Sequence, residues 1–580
     1  MHPPSDPATP VAADGRVTLP RLDVPSQDLS QRPSPYLRPR QLEQWAAALP
    51  IGNTTVAAHQ LLNQLNSLNA AHYPVQERLK LHNTLRPVVA DLSHAMRESL
   101  RQAVIPLDYK NHYSAGLLQS ILKGMATGFK LVVSELALTP RLKEYDQLLL
   151  QEAIYLAMSY SGQRLVDAYG LYQPEPANIW SDLNQLYQYA ETKHFLQNTI
   201  DDALPDTPLP VYPTIDVIYK RILLLALAEP YHLMQYEAMD IFRLVASCIQ
   251  GCHIEPYHEL ATQGEFLIDL NSDNGPRFVT RDMDWPADNA RLIDISEVNV
   301  QLDKHLQRLL RNNVAMAELD AVSLVERQQR DMLLRLADAW HASLVRKTKR
   351  FELEGDIELG SGLNTCHHFI SNGALFTPEI NELKLSREAG INQEEARGLF
   401  ATAYREALQK DRRHGYQQYH LNPWWQRNIS PLGVALKLDE PINNVDVRVG
   451  ELVAYRLANK RKRRWQLGVI RWLRQDNDSA NSLVDIGIMN LANGGIAVGV
   501  KAIKGLGYGT DYFRSLLIPK QTSIQQTRSI IVPALLYDVG TTLVVNLEQR
   551  LFHVRLTRVM LSTRSFTQFD FEIVKRPITI

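Results

Sequence analysis

The apolar positions of this 580-residue chain change their period part-way along it. From about residue 41 to 250 they recur at intervals of three and four, in "TTVAAHQLLNQLNSLN", "KEYDQLLLQEAIYLAMSYSGQRLVDAY" and "IDVIYKRILLLALAEPYHLMQYEAMDIFRLVASCI". That spacing predicts amphipathic helices. The short Pro- or Gly-marked breaks between them predict a bundle or an array of helix hairpins, without a strict repeat. Between 264 and 298, "EFLIDLNSDNGPRFVT" and "RLIDISEV" predict a short strand pair around an Asn274-Gly275 turn. Helix resumes in a stripe of Leu333, Leu336, Trp340 and Leu344, spaced three, four and four.

Beyond residue 350 the period becomes two. "GVALKLDE" sets Val434, Leu436 and Leu438 against Ala435 and Lys437, and "RWQLGVIRWLR" and "SLVDIGIMNL" alternate in the same way. These segments predict half-buried antiparallel strands. After Gly494-Gly495 come "RSIIVPALLY", "TTLVVNL", "LFHVRLTRVML" and "FTQFDFEIV". Closure removes exposed strand edges, so an all-β region of this size predicts a small barrel with a β extension.

The predicted organisation is a multidomain α+β protein. Residues 1–40, with nine prolines and little apolar periodicity, read as a disordered tail; 41–340 as a mainly helical module; 341–495 as a β-barrel with a helical insertion at about 360–420; and 496–580 as a β-rich extension. Composition narrows the functional classes. With 62 basic and 63 acidic residues, no global field points to a nucleic acid polymer or a membrane surface, so any anion site is local. The three cysteines Cys248, Cys252 and Cys366 suit a reducing compartment, and no leader or long apolar run is evident. The expectation is a soluble cytoplasmic protein.

Two arginines four residues apart, Arg346 and Arg350 in "SLVRKTKRFELEG", stand where the helical pattern gives way to the extended one. Such spacing alone carries little. Further on, "WWQRNISPLGVALKL" contains Asn428, Ser430 and Gly433 in the pattern Asn-x-Ser-x-x-Gly, just ahead of an alternating strand. Together, Arg-x-x-x-Arg and Asn-x-Ser-x-x-Gly resemble the bipartite signature of PilZ domains, bacterial receptors of cyclic di-GMP. The later "WQLGVIRWLR" and "VDIGIMNLA" resemble the second half of a PilZ barrel, so the likeness spans roughly 341–495. Two departures stand out: residues 351–427 separate the two elements, and Asn428 replaces the commoner Asp.

The resemblance implies a non-enzymatic cyclic di-GMP receptor, with Arg346, Arg350, Asn428, Ser430 and Gly433 as ligand residues. It also implies an output in motility, pilus function or biofilm formation, through a protein partner of the helical module. The residue chemistry fits. A guanidinium fork matches both phosphate oxygens and the adjacent O6 and N7 acceptors of guanine. Asn428 can accept from guanine N–H groups, Ser430 can donate, and Gly433 allows a turn or a close backbone approach. The alternative expectation is an interaction scaffold whose PilZ-like domain binds no ligand. A hydrolase lacks any coherent nucleophile and base.

Other motifs are weaker. Arg277, Arg281, Asp294 and Ser296 imitate the same signature, but Asn299 stands at the glycine position and a helical pattern follows. Cys248, Cys252, His253 and His258 lack metal-ligand spacing and read as buried packing, so neither a metal nor a cofactor is expected. His367 and His368 read as packing or surface residues, and "KRKRR" at 460–464 as a solvated hairpin loop.

Overall fold

The computed structural model describes residues 19–27, 38–101, 103–201, 213–257, 266–279, 289–316, 324–341, 350–378, 419–438, 445–458, 464–475, 483–509, 511–520, 527–547 and 550–574. Arg346, Arg281, His258, Leu344, most of the expected insertion and most of "KRKRR" lie outside these residues.

The first half is helical: α1 (Pro39–Ala47), α2 (Thr54–Ala70), α3 (Val75–Leu100), α4 (Tyr109–Ala137), α5 (Glu144–Gly170), α6 (Ile179–Thr192), α7 (Ile215–Leu227) and α8 (Glu237–Leu244). Side-chain oxygens start several of them. Asn53 accepts from the Val56 amide at 3.3 Å, Asp108 from Asn111 at 2.7 Å and Thr214 from Val217 at 3.1 Å. The long pattern at 215–249 is interrupted at Glu229-Pro230, where proline disfavours the helical region for the residue before it. Glu229 takes a left-handed conformation, φ 52°, and only short 3-10 turns and α8 follow. Among the described residues, no helix is long and apolar enough to cross a membrane.

Residues 19–27, inside the stretch expected to be a disordered tail, instead run extended along the helices. The Asp23 amide donates to Asp182 Oδ1 at 2.8 Å, and the Asp23 carbonyl accepts from Lys130 Nζ at 2.6 Å. Lys130 also pairs with Asp182 at 2.6 Å, both groups buried. The segment supplies partners that this buried charge pair needs, and this outweighs its proline content.

A four-stranded sheet follows, in the order β1 (His253–Pro256), β4 (Ala290–Asp294), β2 (Phe266–Asp269), β3 (Arg277–Phe278). The expected strand pair is therefore part of a larger sheet, with β1 added at its edge. Helices α9 (Ser296–Met316) and α10 (Leu324–Trp340) come next. On α10, Leu333, Leu336 and Trp340 are buried, and the Trp340 indole donates to the Leu224 carbonyl of α7 at 3.3 Å.

The second half forms two closed six-stranded barrels. The first contains β5 (Phe351–Ser361), β6 (Asn422–Ser430), β7 (Gly433–Leu438), β8 (Leu452–Leu457), β9 (Gln466–Gln475) and β10 (Val484–Ala492), ordered β10-β7-β6-β5-β8-β9. Helix α11 (Leu363–Ile370) follows β5. The expected β extension is itself a barrel: β11 (Ile496–Lys504), β12 (Phe513–Ile518), β13 (Ser529–Pro533), β14 (Thr542–Leu547), β15 (Arg550–Ser562) and β16 (Phe566–Val574).

One hydrophobic core runs from the helices into the interior of the first barrel. A second, built from Leu363 and Cys366 of α11, Leu467 and Val469 of β9, and Leu516 and Phe566 of the second barrel, joins the two barrels. Where the helices meet the first barrel, the buried Gln475 side chain accepts from the Leu107 amide at 3.0 Å and donates to the Leu171 carbonyl at 2.6 Å. Its own amide donates to the Tyr172 carbonyl at 2.8 Å. Removing the carboxamide strips buried backbone groups of these partners, at about 1–3 kcal/mol each. Gln475→Leu is expected to lower the chemical-denaturation midpoint and to make helical and barrel unfolding non-coincident. An unchanged, single transition would contradict this.

Candidate functional site

The long sequence gap between the two motif elements closes through strand pairing. β5 and β6 are antiparallel, with Phe351 opposite Ile429 and Glu352 opposite Asn428. Arg350 directly precedes Phe351, so the register sets it beside Ser430, at the mouth of the first barrel. Ser430 lies opposite Gly433 across a two-residue turn, Pro431-Leu432, and its hydroxyl donates to the Gly433 carbonyl at 3.2 Å. The structure thus brings Arg350, Asn428, Ser430 and Gly433 together, while Arg346 lies outside the described residues.

The reason for glycine at 433 is close approach. Gly433 stands opposite Met489 of β10, and a Cβ there would overlap the Ile488 carbonyl oxygen. Its φ is not in the left-handed region, so of the two roles open to this glycine the structure uses the second. The tip of the turn is also tied to β10, where the Asn490 amide donates to the Leu432 carbonyl at 2.9 Å.

Directly opposite residues in antiparallel strands share a face. Glu352, Asn428, Ala435, Gly487 and Trp472 therefore make one row across β5, β6, β7, β10 and β9. A Cβ on Gly487 would overlap the Trp472 indole, so that ring lies over the glycine. The row has a carboxylate and an amide at one end, two small residues in the middle and an aromatic plane at the other end. Sequence reasoning missed Glu352 and Trp472 as members. The large–small pairing of Trp472 with Gly487 is a signal that the register alone makes visible. Beside the row, Arg427 pairs with Asp485 across the sheet at 2.8 Å.

Among the weaker motifs, Asp294 Oδ1 accepts from the Ser296 amide at 2.8 Å and from its hydroxyl at 2.6 Å, where α9 begins. These bonds hold its carboxyl below the usual range. The imitation of the signature is a helix start, with Arg277 on β3 bonded to Asn274. Burial pushes the Cys248 thiol up to about 11 and that of Cys252 to about 12, away from the thiolate a metal requires. Burial, with Arg514 and His368 adding to it, lowers His367 to about 3. The ring packs edge-on to Phe376, and His368 stacks on Tyr419.

Three family models match this chain. Residues 40–259 match the N-terminal domain of the cyclic-di-GMP receptor FimW, 265–420 match its middle PilZ domain, and 498–574 match its C-terminal β-barrel domain. The PilZ match therefore lies in the middle of the chain, where the motifs suggested roughly 341–495 in the C-terminal half. It takes in β2, β3, β4, α9, α10, β5 and α11, and ends just ahead of β6, which carries Asn428 and Ser430. The cyclic-di-GMP receptor FimW of Pseudomonas aeruginosa is 26% identical over 570 residues, covering 92% of this chain and 90% of that protein. No solved structure matches.

Gly433→Ala is expected to force β7 and β10 apart and lower the melting temperature by several degrees, since overpacking of this kind costs about 1–3 kcal/mol. Thermal unfolding followed by circular dichroism checks it. An unshifted transition would mean that the strands absorb the added methyl freely.

Proposed function

We propose that this chain, whose residues 265–420 match a middle PilZ domain, is a cyclic di-GMP receptor that converts ligand binding into a change in how its helical module is presented. The register of β5 on β6, which sets Arg350 beside Ser430 and Gly433 despite the intervening sequence, is the observation that carries this reading. Arg346 and Arg350 supply guanidinium forks for the two phosphates and for guanine O6 and N7. Ser430 donates to phosphate or base, and Asn428 accepts from guanine N–H groups. Gly433 holds the strand end against β10, and Trp472 offers an aromatic plane for a base.

Mechanism follows from where α10 is anchored. Trp340 is buried among the helices, and ten residues later Arg350 stands at the mouth of the barrel. Ligand that draws the Arg346–Arg350 segment onto the β6–β7 turn pulls on the end of α10. The change requires only tighter ligand binding in the closed arrangement than in the open one. Among the described residues the site presents no nucleophile paired with a base, and the reading is accordingly of a receptor without catalysis. It acts in the cytoplasm on a motility, pilus or biofilm process, through a protein partner of the helical module.

Calorimetric titration with cyclic di-GMP at fixed, near-physiological salt tests the reading. Micromolar or tighter binding is expected. Arg346→Ala and Arg350→Ala should each weaken it by about ten- to a hundredfold, the loss of one charge-assisted contact, and GTP should not compete. Bound ligand should also protect residues 343–349 from proteolysis. A well-folded wild type that binds nothing would sink the proposal and leave a scaffold.

A further inference from the structure

Away from this row, a cavity of about 610 Å³ opens where four parts of the chain meet: α10, the turn ahead of α8, the β9 side of the first barrel, and β15 of the second. Arg350, Asn428, Ser430 and Gly433 are not among the residues that line it.

Its walls are built by irregularities in both barrels. In the β9–β10 pair, Trp472 faces Gly487 and Ile470 faces Ile488, so Arg471 is an extra residue in a bulge. In the β15–β16 pair, Leu556 faces Phe571 while Arg558 faces Asp570, and Val559 faces Phe569 while Leu561 faces Gln568. Thr557 and Met560 are the extra residues there. Arg471, Thr557 and Met560 all line the same cavity. Bulges re-aim side chains and concentrate beside binding sites. Three of them, on two separate barrels, converge on one volume.

The lining is apolar, cationic and acidic in turn, the carboxylates being Asp331, Asp338 and Asp538. Leu334, Val449, Val469, Val559 and Met560 provide an apolar wall. Of the guanidiniums, Arg330 is paired with Asp331 at 3.3 Å, Arg335 with Glu237, and Arg558 with Asp570 at 3.5 Å. Arg471 is different: burial lowers its pKa, Asp338 offsets this in part, and Arg335 adds to it. Arg471 stays a cation, and an anion in the cavity would offset the desolvation of its guanidinium.

We propose that this cavity is a binding site for a small organic anion, with Arg471 holding a phosphate, sulfonate or carboxylate group and an apolar body lying against Leu334, Val559 and Met560. Its volume falls within the range of small-molecule sites. Placed among the helices and both barrels, an occupant would touch each of them.

The probe is 8-anilinonaphthalene-1-sulfonate, titrated by fluorescence into the full chain beside uncharged N-phenyl-1-naphthylamine. Saturable binding of one sulfonate probe per chain is expected. Arg471→Met should weaken the sulfonate about tenfold or more and leave the uncharged probe nearly unchanged. Leu334→Trp, which fills the volume, should abolish both. Melting curves confirm folding, and Thr557→Trp replaces Leu334→Trp should that variant unfold. Competition by octyl phosphate and by octanoate separates phosphate from carboxylate ligands. Absence of saturable binding, equal loss of both probes in Arg471→Met, no effect of filling the cavity, or displacement by neither competitor would overturn the proposal.

Discussion

The structure depends most on the pairing of β5 with neighbours on both sides. Its N-terminal part lies against β6 and its C-terminal part against β8, so this one strand closes the first barrel. An open sheet would leave an edge of unpaired amides and carbonyls, which closure removes. The same pairing carries Arg350 to the Asn428–Gly433 turn and fixes where the chain leaves α10. It also aims α11 at the contact between the barrels, where Leu363 and Cys366 join the shared core. Fold closure and assembly of the site are therefore one event.

The two barrels and the helices then behave as a packed whole. The helical core continues into the first barrel, and Gln475 satisfies backbone groups of the helical module from the end of β9. Leu467 and Val469, a few residues earlier on that strand, pack against the second barrel. β9 thus bears on the helical module and on both barrels, and its bulge at Arg471 opens onto the space between them.

Much of this was legible from residue patterns, and the failures have identifiable causes. α2 and α5 follow the three–four spacing almost to the residue, because each buries one face or is surrounded by apolar neighbours. β7 and β10 show clean alternation because one side faces the barrel interior. β8, "LVAYRL", shows none: Val453 and Tyr455 fill the core shared with the helices while Leu452 and Ala454 pack toward α11 and the second barrel, so both faces are apolar. Closure of the second barrel rests on β11 pairing with β14 and β13 with β16, contacts that no local period records. In the candidate site, the resemblance pointed to Arg346, Arg350, Asn428, Ser430 and Gly433, of which the structure describes the last four. Glu352 and Trp472 needed the register, since nothing in their own segments marks them.

The separation of β5 from β6 has a cost in time during synthesis. β5 ends at Ser361 and its first partner begins at Asn422. At roughly 5–20 residues per second, those roughly 60 intervening residues keep the nascent β5 edge unpaired for about 3–12 s. The later partner, β8, is further away still. During that interval the ribosome-bound chain presents an eleven-residue strand with both edges open. Two features suit the wait: "FELEGDIELG" carries a charge at every second position, which discourages pairing with other nascent chains, and α11 follows at once to occupy one end.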